Sequence, residues 1–226
     1  LTTWWCREPA SALRTALDAQ AAALRQRLGE RLVGEPVGER EIADGLARHR
    51  IDHDADALIA AAERERDWCL AERDRAARDM GCDHWRTALE RVKDAHVAPG
   101  EQPTLVRDLA REAEAYVAAH GLLDVPDLAV ETWRMEMMSP QAQKVNPFFL
   151  GGESIVVSFP TDAMDDDRKR MSLRGNNPAF ARATVHHELI PGHHLQQFFE
   201  RRHRPYRRLF ATPFWIEGWT LHWEML

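Results

Sequence analysis

Residues 184–194 read TVHHELIPGHH, so that four histidines, one glutamate and a Pro-Gly pair lie within a single short stretch. Asn177 and Pro178 precede it as a typical helix start, with asparagine as N-cap and proline in the first turn. His187 and His194 would share one face of that helix, because residues at steps of three or four do so. Imidazole and carboxylate groups on one helix are typical of a zinc site.

The stretch departs from the regular zinc-binding pattern His-Glu-x-x-His. The position four after His187 is Pro191, which cannot bind a metal, and the next histidines are His193 and His194. In a regular helix His193 would point about 120° away from His187, whereas His194 would be nearly aligned with it. Pro191 removes a backbone hydrogen bond and Gly192 relaxes the backbone, so we expect the helix to break here. A regular helix favours His194 as the second ligand, and a broken helix permits His193.

Two motifs resemble those of a known bacterial family. The first is His-Glu-x-x-Pro-Gly-His at 187–193, and the second is Glu-Gly-Trp-x-Leu-x-x-Glu at 217–224. Both are similar to domain-of-unknown-function family 885, which is grouped with zincin-like metallopeptidases of the gluzincin type. The family pattern holds the first histidine after Pro-Gly more firmly, so the resemblance favours His193. It implies a zincin-like helical metallopeptidase architecture over most of the chain, although only these two motifs are specific.

The predicted site draws on both motifs. His187, His193 and Glu217 are the expected Zn²⁺ ligands and leave a fourth position for water. Glu217 follows His193 by 24 residues, which is enough for a helix, a turn and a returning helix. Glu188 is the expected general base that takes a proton from the water. Three further residues are expected to orient the ligands, to replace one of them or to stabilise an oxyanion: His194, His186 and Glu224.

The expected function is a zinc-dependent hydrolase, and the resemblance alone implies a peptide substrate. Two alternatives stay open. The same metal site would serve a hydrolase of a non-peptide amide or ester, and a helical binding protein could keep the fold with a vestigial, inactive site. The cellular compartment is open between cytoplasm and secretion.

Composition excludes several other classes of protein. The chain has 226 residues, of which 44% are hydrophobic and 29% charged, as expected of a soluble globular protein. A net charge of −6 gives no reason to expect a nucleic acid or an anionic membrane as partner. No run approaches the ~18 apolar residues that a membrane span requires. The cysteines Cys6, Cys69 and Cys82 are too scattered to indicate a disulfide framework or a metal site.

The predicted fold is mainly α with a small β element. Residues 1–121 form an expected helical N-terminal region, and 122–226 are expected to carry a small sheet and the helices of the metal site. Strong helix formers dominate the first region. Its predicted helices run from Ser11 to about Leu32, from Glu39 to His49, from about Asp54 to Met80, from Asp83 to Lys93, and from a Thr104 cap to near Gly121.

The sheet prediction rests on weaker signals. Residues 128–138 show a two-residue alternation with no clean apolar face, which indicates a strand. Residues 148–150 and 154–159 are predicted as two short strands around a Gly151-Gly152 turn. The resemblance implies that such an edge strand binds the extended substrate, although an ordinary core strand fits as well.

Charged segments complete the sequence. Residues 161–174 are interpreted as a surface loop or a helix start with acids in its first turn. The basic run 201–208 is interpreted as a solvated helix end, with the approach of an anionic substrate end as the alternative. The chain starts without Met and stops in a helical run, so we expect it to be a fragment, with further substrate-binding residues beyond Leu226.

Overall fold

The structure, a computed structural model, describes residues 4–28, 37–146, 148–149, 151 and 154–226. Within these residues it is mainly helical with one small sheet, which confirms the prediction of a mainly α chain with a small β element. The helices and strands, in chain order, are α1 (Trp4–Leu28), α2 (Glu39–Arg48), α3 (Ala55–Asp79), α4 (Trp85–Asp94), α5 (Gln102–Ala119), α6 (Asp127–Thr132), β1 (Arg134–Met137), β2 (Ser154–Val157), α7 (Asp166–Gly175), α8 (Pro178–Glu188), α9 (His193–Arg202) and α10 (Pro213–Glu224). Short 3-10 helices cover Ala142–Lys144 and Pro205–Phe210. No helix among the described residues is long and apolar enough to span a membrane.

The chain divides into two compact units, Leu1–Ala61 and Ala62–Leu226, and the division falls within α3. In the first unit, α1 begins before the predicted start at Ser11. The Ser11 carbonyl accepts a hydrogen bond from the Thr15 hydroxyl at 3.0 Å, so Ser11 is an interior residue and not the cap. The predicted end near Leu32 lies outside the described residues.

The three helices that follow agree closely with prediction. The segments predicted from Glu39, Asp54 and Asp83 are α2, α3 and α4. Helix α5 begins at Gln102, so the predicted Thr104 cap is wrong. Pro103 lies in the first turn instead, where its fixed φ and missing N–H suit a helix start. Helix α7 shows that the acidic segment is a helix start, with the Asp165 carboxylate accepting the Arg168 backbone N–H at 2.8 Å.

The core of the second unit joins α5, α8 and β2. Its buried side chains include Val106 and Leu109 from α5, Ile155 from β2, and Val185 from α8. An ion pair between Arg182 and Glu112 at 3.0 Å links the same two helices at the surface. Helix α5, which the sequence assigned to the N-terminal region, therefore shares its core with the helix that carries the histidine motif.

The strand predictions need correction. The strand predicted over 128–138 is helix α6 followed by the four-residue strand β1. Pro126 precedes α6 as its N-cap and Asp127 begins its first turn, a combination that favours a helix. Strand β1 pairs in parallel with β2, with Arg134 opposite Ser154. The partner of β2 is therefore β1 and not the segment 148–150 that the predicted hairpin paired with it, and such a parallel pair needs a crossover connection. Phe148 and Phe149 are not in a strand, and Leu150 and Gly152 lie outside the described residues.

Candidate metal centre

The histidine motif lies where one helix ends and the next begins. Asn177 caps α8, its side-chain oxygen accepting the backbone N–H groups of Ala179 at 3.1 Å and Phe180 at 3.2 Å. Helix α8 ends at Glu188, and α9 begins at His193. Both the Asn177 cap and the break at Pro191-Gly192 are thus confirmed.

The connection between the two helices is held from α10. The Trp219 indole N–H donates a hydrogen bond to the Pro191 carbonyl at 2.8 Å. A Cβ at Gly192 would overlap the backbone carbonyl groups of His187 and His186, so only glycine fits at this position without a backbone shift. The Pro-Gly pair of the first motif and the tryptophan of the second therefore form one structural unit.

The three predicted ligands converge. The Nε2 atoms of His187 and His193 lie 3.5 Å and 3.8 Å from Oε2 of Glu217. The two imidazole rings are 4.7 Å apart between centroids and almost perpendicular, at 84°. Ligand atoms around a tetrahedral zinc ion with bonds of 2.0–2.1 Å lie about 3.4 Å apart. Both distances from the imidazole nitrogens to the Glu217 oxygen are close to this spacing.

Both imidazole rings are fixed through Nδ1. Nδ1 of His187 contacts the Glu224 carboxylate, which can only accept a hydrogen bond. Nδ1 of His193 lies 3.4 Å from Oε1 of Gln196, whose Nε2 donates to the Trp215 carbonyl at 3.1 Å. Because that carbonyl only accepts, the Gln196 amide must turn its oxygen toward His193. Each Nδ1 therefore carries a hydrogen.

This arrangement directs the Nε2 atoms of His187 and His193 and the Glu217 carboxylate toward one another. An imidazole that carries its one hydrogen on Nδ1 would present a bare Nε2 lone pair toward the Glu217 carboxylate. A group of such acceptors is favourable only when a proton or a metal ion lies between its members. Two imidazole nitrogens and one carboxylate oxygen form the donor set that zinc prefers, and a hydrogen-bonded second ring nitrogen is typical of metal-ligating histidine.

Glu188 completes the cluster. Its carboxylate, with one nitrogen of His187 and one of His193, forms a group whose atoms all lie within 4.8 Å of one another. Gly151 lies against this carboxylate, since a Cβ at Gly151 would overlap it. Burial raises the pKa of Glu188 to about 6, with His187 lowering it and the two nearby glutamates, 217 and 224, raising it.

Of the three supporting residues that were predicted, Glu224 alone has a described contact with a proposed ligand. His194 donates instead from Nε2 to the Ala129 carbonyl of α6 at 2.9 Å, and burial lowers the pKa of its imidazole. His186 lines a cavity of about 370 Å³ with residues of α5, α8 and α10. Its Nε2 is buried without a partner in the described part of the chain, and burial lowers the pKa of its ring.

Two contributors escaped the sequence analysis. Gln196 orients His193, and its position three residues later on the same helix was the signal that could have revealed it. Gly151 was interpreted only as a turn residue, and no local pattern indicates that it contacts a carboxylate 37 residues away in sequence.

Residues 6–226 match the model of a family described as bacterial protein of unknown function, DUF885. The chain belongs to this family. A solved structure from Shewanella oneidensis, described as that of a candidate lipoprotein of unknown function, is similar with a TM-score of 0.67 and 17% identity. The similarity covers 93% of this chain and 40% of that one, so this DUF885 chain spans about two fifths of its structural neighbour. None of the curated proteins matches the sequence.

Proposed function

We propose that this DUF885 protein is a zinc-dependent hydrolase and that its substrates are peptides. The observation that carries the proposal is the convergence of the His187 and His193 Nε2 atoms on Oε2 of Glu217, with both Nδ1 atoms fixed by acceptors. These three residues would hold the ion. A bound zinc would supply Lewis acidity and lower the pKa of water to about 7.

Side chains around the ion would carry out two tasks, the transfer of protons and the orientation of the metal ligands. Glu188 would take a proton from the attacking water at its carboxylate and pass it to the leaving nitrogen. Gly151 lies against that carboxylate and limits where it can turn. Glu224 and Gln196 would keep the two imidazole rings oriented, which is the role such partners have in metal sites.

Two observations support a peptide as the substrate. The motif pattern resembles zincin-like metallopeptidases. The chain that leads into β2 also passes Glu188 at Gly151, so an extended peptide beside β2 would reach the same carboxylate. An ester or non-peptide amide would require only a different pocket around the same centre.

Metal analysis and a substrate screen test the proposal in sequence. The purified protein is expected to contain one zinc per chain, measured by elemental analysis, and to lose it with the double substitution His187→Ala and His193→Ala. The zinc-loaded protein is then incubated with a peptide mixture, with and without chelator, and products are identified by mass spectrometry. Zinc below a tenth of an equivalent in wild type would indicate a vestigial site. Bound zinc with cleavage of amide or ester probes but of no peptide would overturn the peptide assignment.

A further inference from the structure

A pocket lined by arginines has in its wall His194, the residue that follows the proposed ligand His193. Its cavity of about 240 Å³ is formed by the end of α6, the first residues of β1 and β2, and one side of α9. Its charged lining, among the described residues, consists of the guanidinium groups of Arg134, Arg201 and Arg202 and the carboxylate of Glu136. The balance favours an anionic ligand.

Two of the arginines are held in place by other contacts. Arg134 donates from Nη1 to the carbonyls of Glu131 at 3.0 Å and Trp133 at 2.9 Å. The Arg202 guanidinium lies over the Phe198 ring, 3.9 Å from its centroid. Each contact fixes a charged head group while leaving further N–H donors on the same guanidinium, which has five. Both guanidinium groups therefore keep donors for an acceptor with two oxygens.

The Glu136 carboxylate in this lining is already engaged. The Ser154 hydroxyl donates to Oε1 of Glu136 at 3.0 Å. The bond runs diagonally between the parallel strands, because Ser154 lies opposite Arg134, two residues before Glu136. This hydrogen bond satisfies part of the carboxylate and directs it along the strand pair. Among the described lining residues, the guanidinium groups of Arg134 and Arg202 outnumber this carboxylate.

Chain connectivity places this pocket close to the reacting centre. His194 forms part of its wall and follows the proposed ligand His193 directly. Ser154 also lines it and follows Gly151, which lies against Glu188, by three residues. Three peptide steps span at most about 11 Å between Cα atoms, the length of roughly three residues of an extended peptide.

We propose that this arginine pocket binds a carboxylate of the peptide substrate and so positions the scissile bond within about three residues of that carboxylate. The inference rests on the proposed peptidase function and names its substrate class. Arginine and carboxylate form paired, charge-assisted hydrogen bonds, which combine affinity with directional positioning. The carboxylate can come from the C-terminus of the peptide or from an acidic side chain, and the experiment separates these sources.

The first test compares one set of peptides with free and amidated C-termini on the zinc-loaded protein. The free acids are expected to have kcat/KM values roughly 10- to 100-fold higher, the range for charge-assisted hydrogen bonds. A second set that pairs aspartate with asparagine near the cleaved bond reports on side-chain carboxylates. A preference in either set supports the pocket and identifies the source. Equal rates in both sets would overturn the inference while leaving the peptidase proposal intact.

Variants assign the preference to the pocket. Arg201→Gln combined with Arg202→Gln is expected to abolish the preference, because kcat/KM for the free acids falls toward that for the amides. Arg204→Gln combined with Arg208→Gln removes the same charge from the same basic run, outside the residues that line the pocket, and should keep the preference. Loss of the preference in both double variants would show that net charge, and not the pocket, selects the substrate.

A binding measurement separates failure of this inference from failure of the proposed function. Acetyl-trialanine and its C-terminal amide are titrated into the Glu188→Gln variant by calorimetry. The acid is expected to bind roughly 10-fold more tightly, and the difference should vanish in the arginine double variant. Tighter binding of the acid without cleavage of any peptide by wild type would support the pocket and contradict the peptidase. Equal binding of acid and amide would contradict the pocket.

Discussion

Helix α3 and the connection between α8 and α9 use polar side chains in opposite ways. On α3, Arg75 pairs with Glu72 at 3.0 Å and with Asp79 at 2.9 Å, and all three side chains are exposed to solvent. At the connection, His193 and Gln196 are buried and are joined to each other by one hydrogen bond. If one side chain of an ion pair on α3 is removed, water can hydrogen-bond to the other. A buried side chain at the connection has no such access to water.

The difference indicates where a lost side-chain contact should affect the candidate metal centre and the stability of the fold. An exposed ion pair contributes little, because solvent screens it and its side chains lose entropy when they pair. A buried polar group without its partner retains the full cost of desolvation. Substitutions at the connection should therefore change metal binding, activity and stability, whereas similar substitutions on α3 should change none of them.

The largest expected effect is that of Glu188→Gln on hydrolysis. Glutamine keeps the shape and burial of the side chain but cannot accept the proton of water as a base. We expect kcat/KM to fall by roughly 10²- to 10⁴-fold with zinc content unchanged, measured by elemental analysis beside the peptide assay. Glu131→Gln, at an exposed position of α6, serves as the matched control. Loss of zinc from the Glu188 variant would show that this residue is itself a ligand.

Gly192→Ala should have the next largest effect. The added methyl group would overlap the His187 and His186 carbonyls, which are backbone atoms and can move only if the helix end moves. We expect a loss of about 1–3 kcal/mol in the free energy of unfolding, measured with urea, together with weaker zinc binding. Gly218→Ala on α10 adds the same methyl group in open space, and there we expect a gain of about 0.5–1 kcal/mol. Equal effects of the two substitutions would contradict the close approach at Gly192.

The sequence predicted those parts of this connection that depend on local chemistry. Asn177 and Pro178 marked the start of α8, and Pro191-Gly192 marked its interruption. The helical spacing of Glu217 and Glu224 placed both on one face of α10, where both contact His187. The choice between His193 and His194 could not be made from the helical wheel, because α9 begins anew at His193 with its own orientation.

The sheet was less predictable because its pairing depends on contacts between segments that are distant in sequence. Strand β1 pairs with β2 across a connection that no local pattern reveals, whereas the Gly151-Gly152 signal indicated a hairpin. The partner of a short strand is decided by the core beneath it, here by Ile155 and Val157, which are both completely buried. Tertiary packing overrode the turn signal.

Gln196→Leu tests whether buried hydrogen bonding orients the second histidine. Leucine fills a similar volume but cannot accept the Nδ1 hydrogen of His193, so the ring loses the contact that turns Nε2 toward Glu217. We expect zinc affinity to fall by roughly 10- to 100-fold, measured by competition with a chelator. Gln197→Leu changes the neighbouring side chain, which has no described contact with either proposed histidine ligand, and should leave the affinity unchanged. A similar loss in both variants would attribute the effect to α9 as a whole.

Trp219→Phe should have a smaller effect on stability. Phenylalanine keeps an aromatic ring but removes the N–H that donates to the Pro191 carbonyl at 2.8 Å. We expect the free energy of unfolding to fall by about 1 kcal/mol, the usual contribution of one hydrogen bond, measured by urea denaturation. Trp215→Phe removes an exposed bond to Glu200 of similar length, 3.0 Å, and should cost less. A larger loss at Trp215 would reverse the proposed order between buried and exposed contacts.

The smallest effect is expected for Arg75→Ala on α3. The substitution removes both ion pairs at once, yet all three side chains are exposed and alanine is the stronger helix former. The two effects oppose each other, so we expect no measurable change in the Tm or in zinc content. Salt provides the internal check, because screening by 1 M NaCl should remove any residual difference between variant and wild type. If Arg75→Ala lowered the Tm as much as Trp219→Phe, and did so equally at high salt, then α3 would depend on a specific contact. The proposed difference between α3, whose exposed ion pairs contribute little, and the α8–α9 connection, whose buried contacts contribute more, would then be wrong.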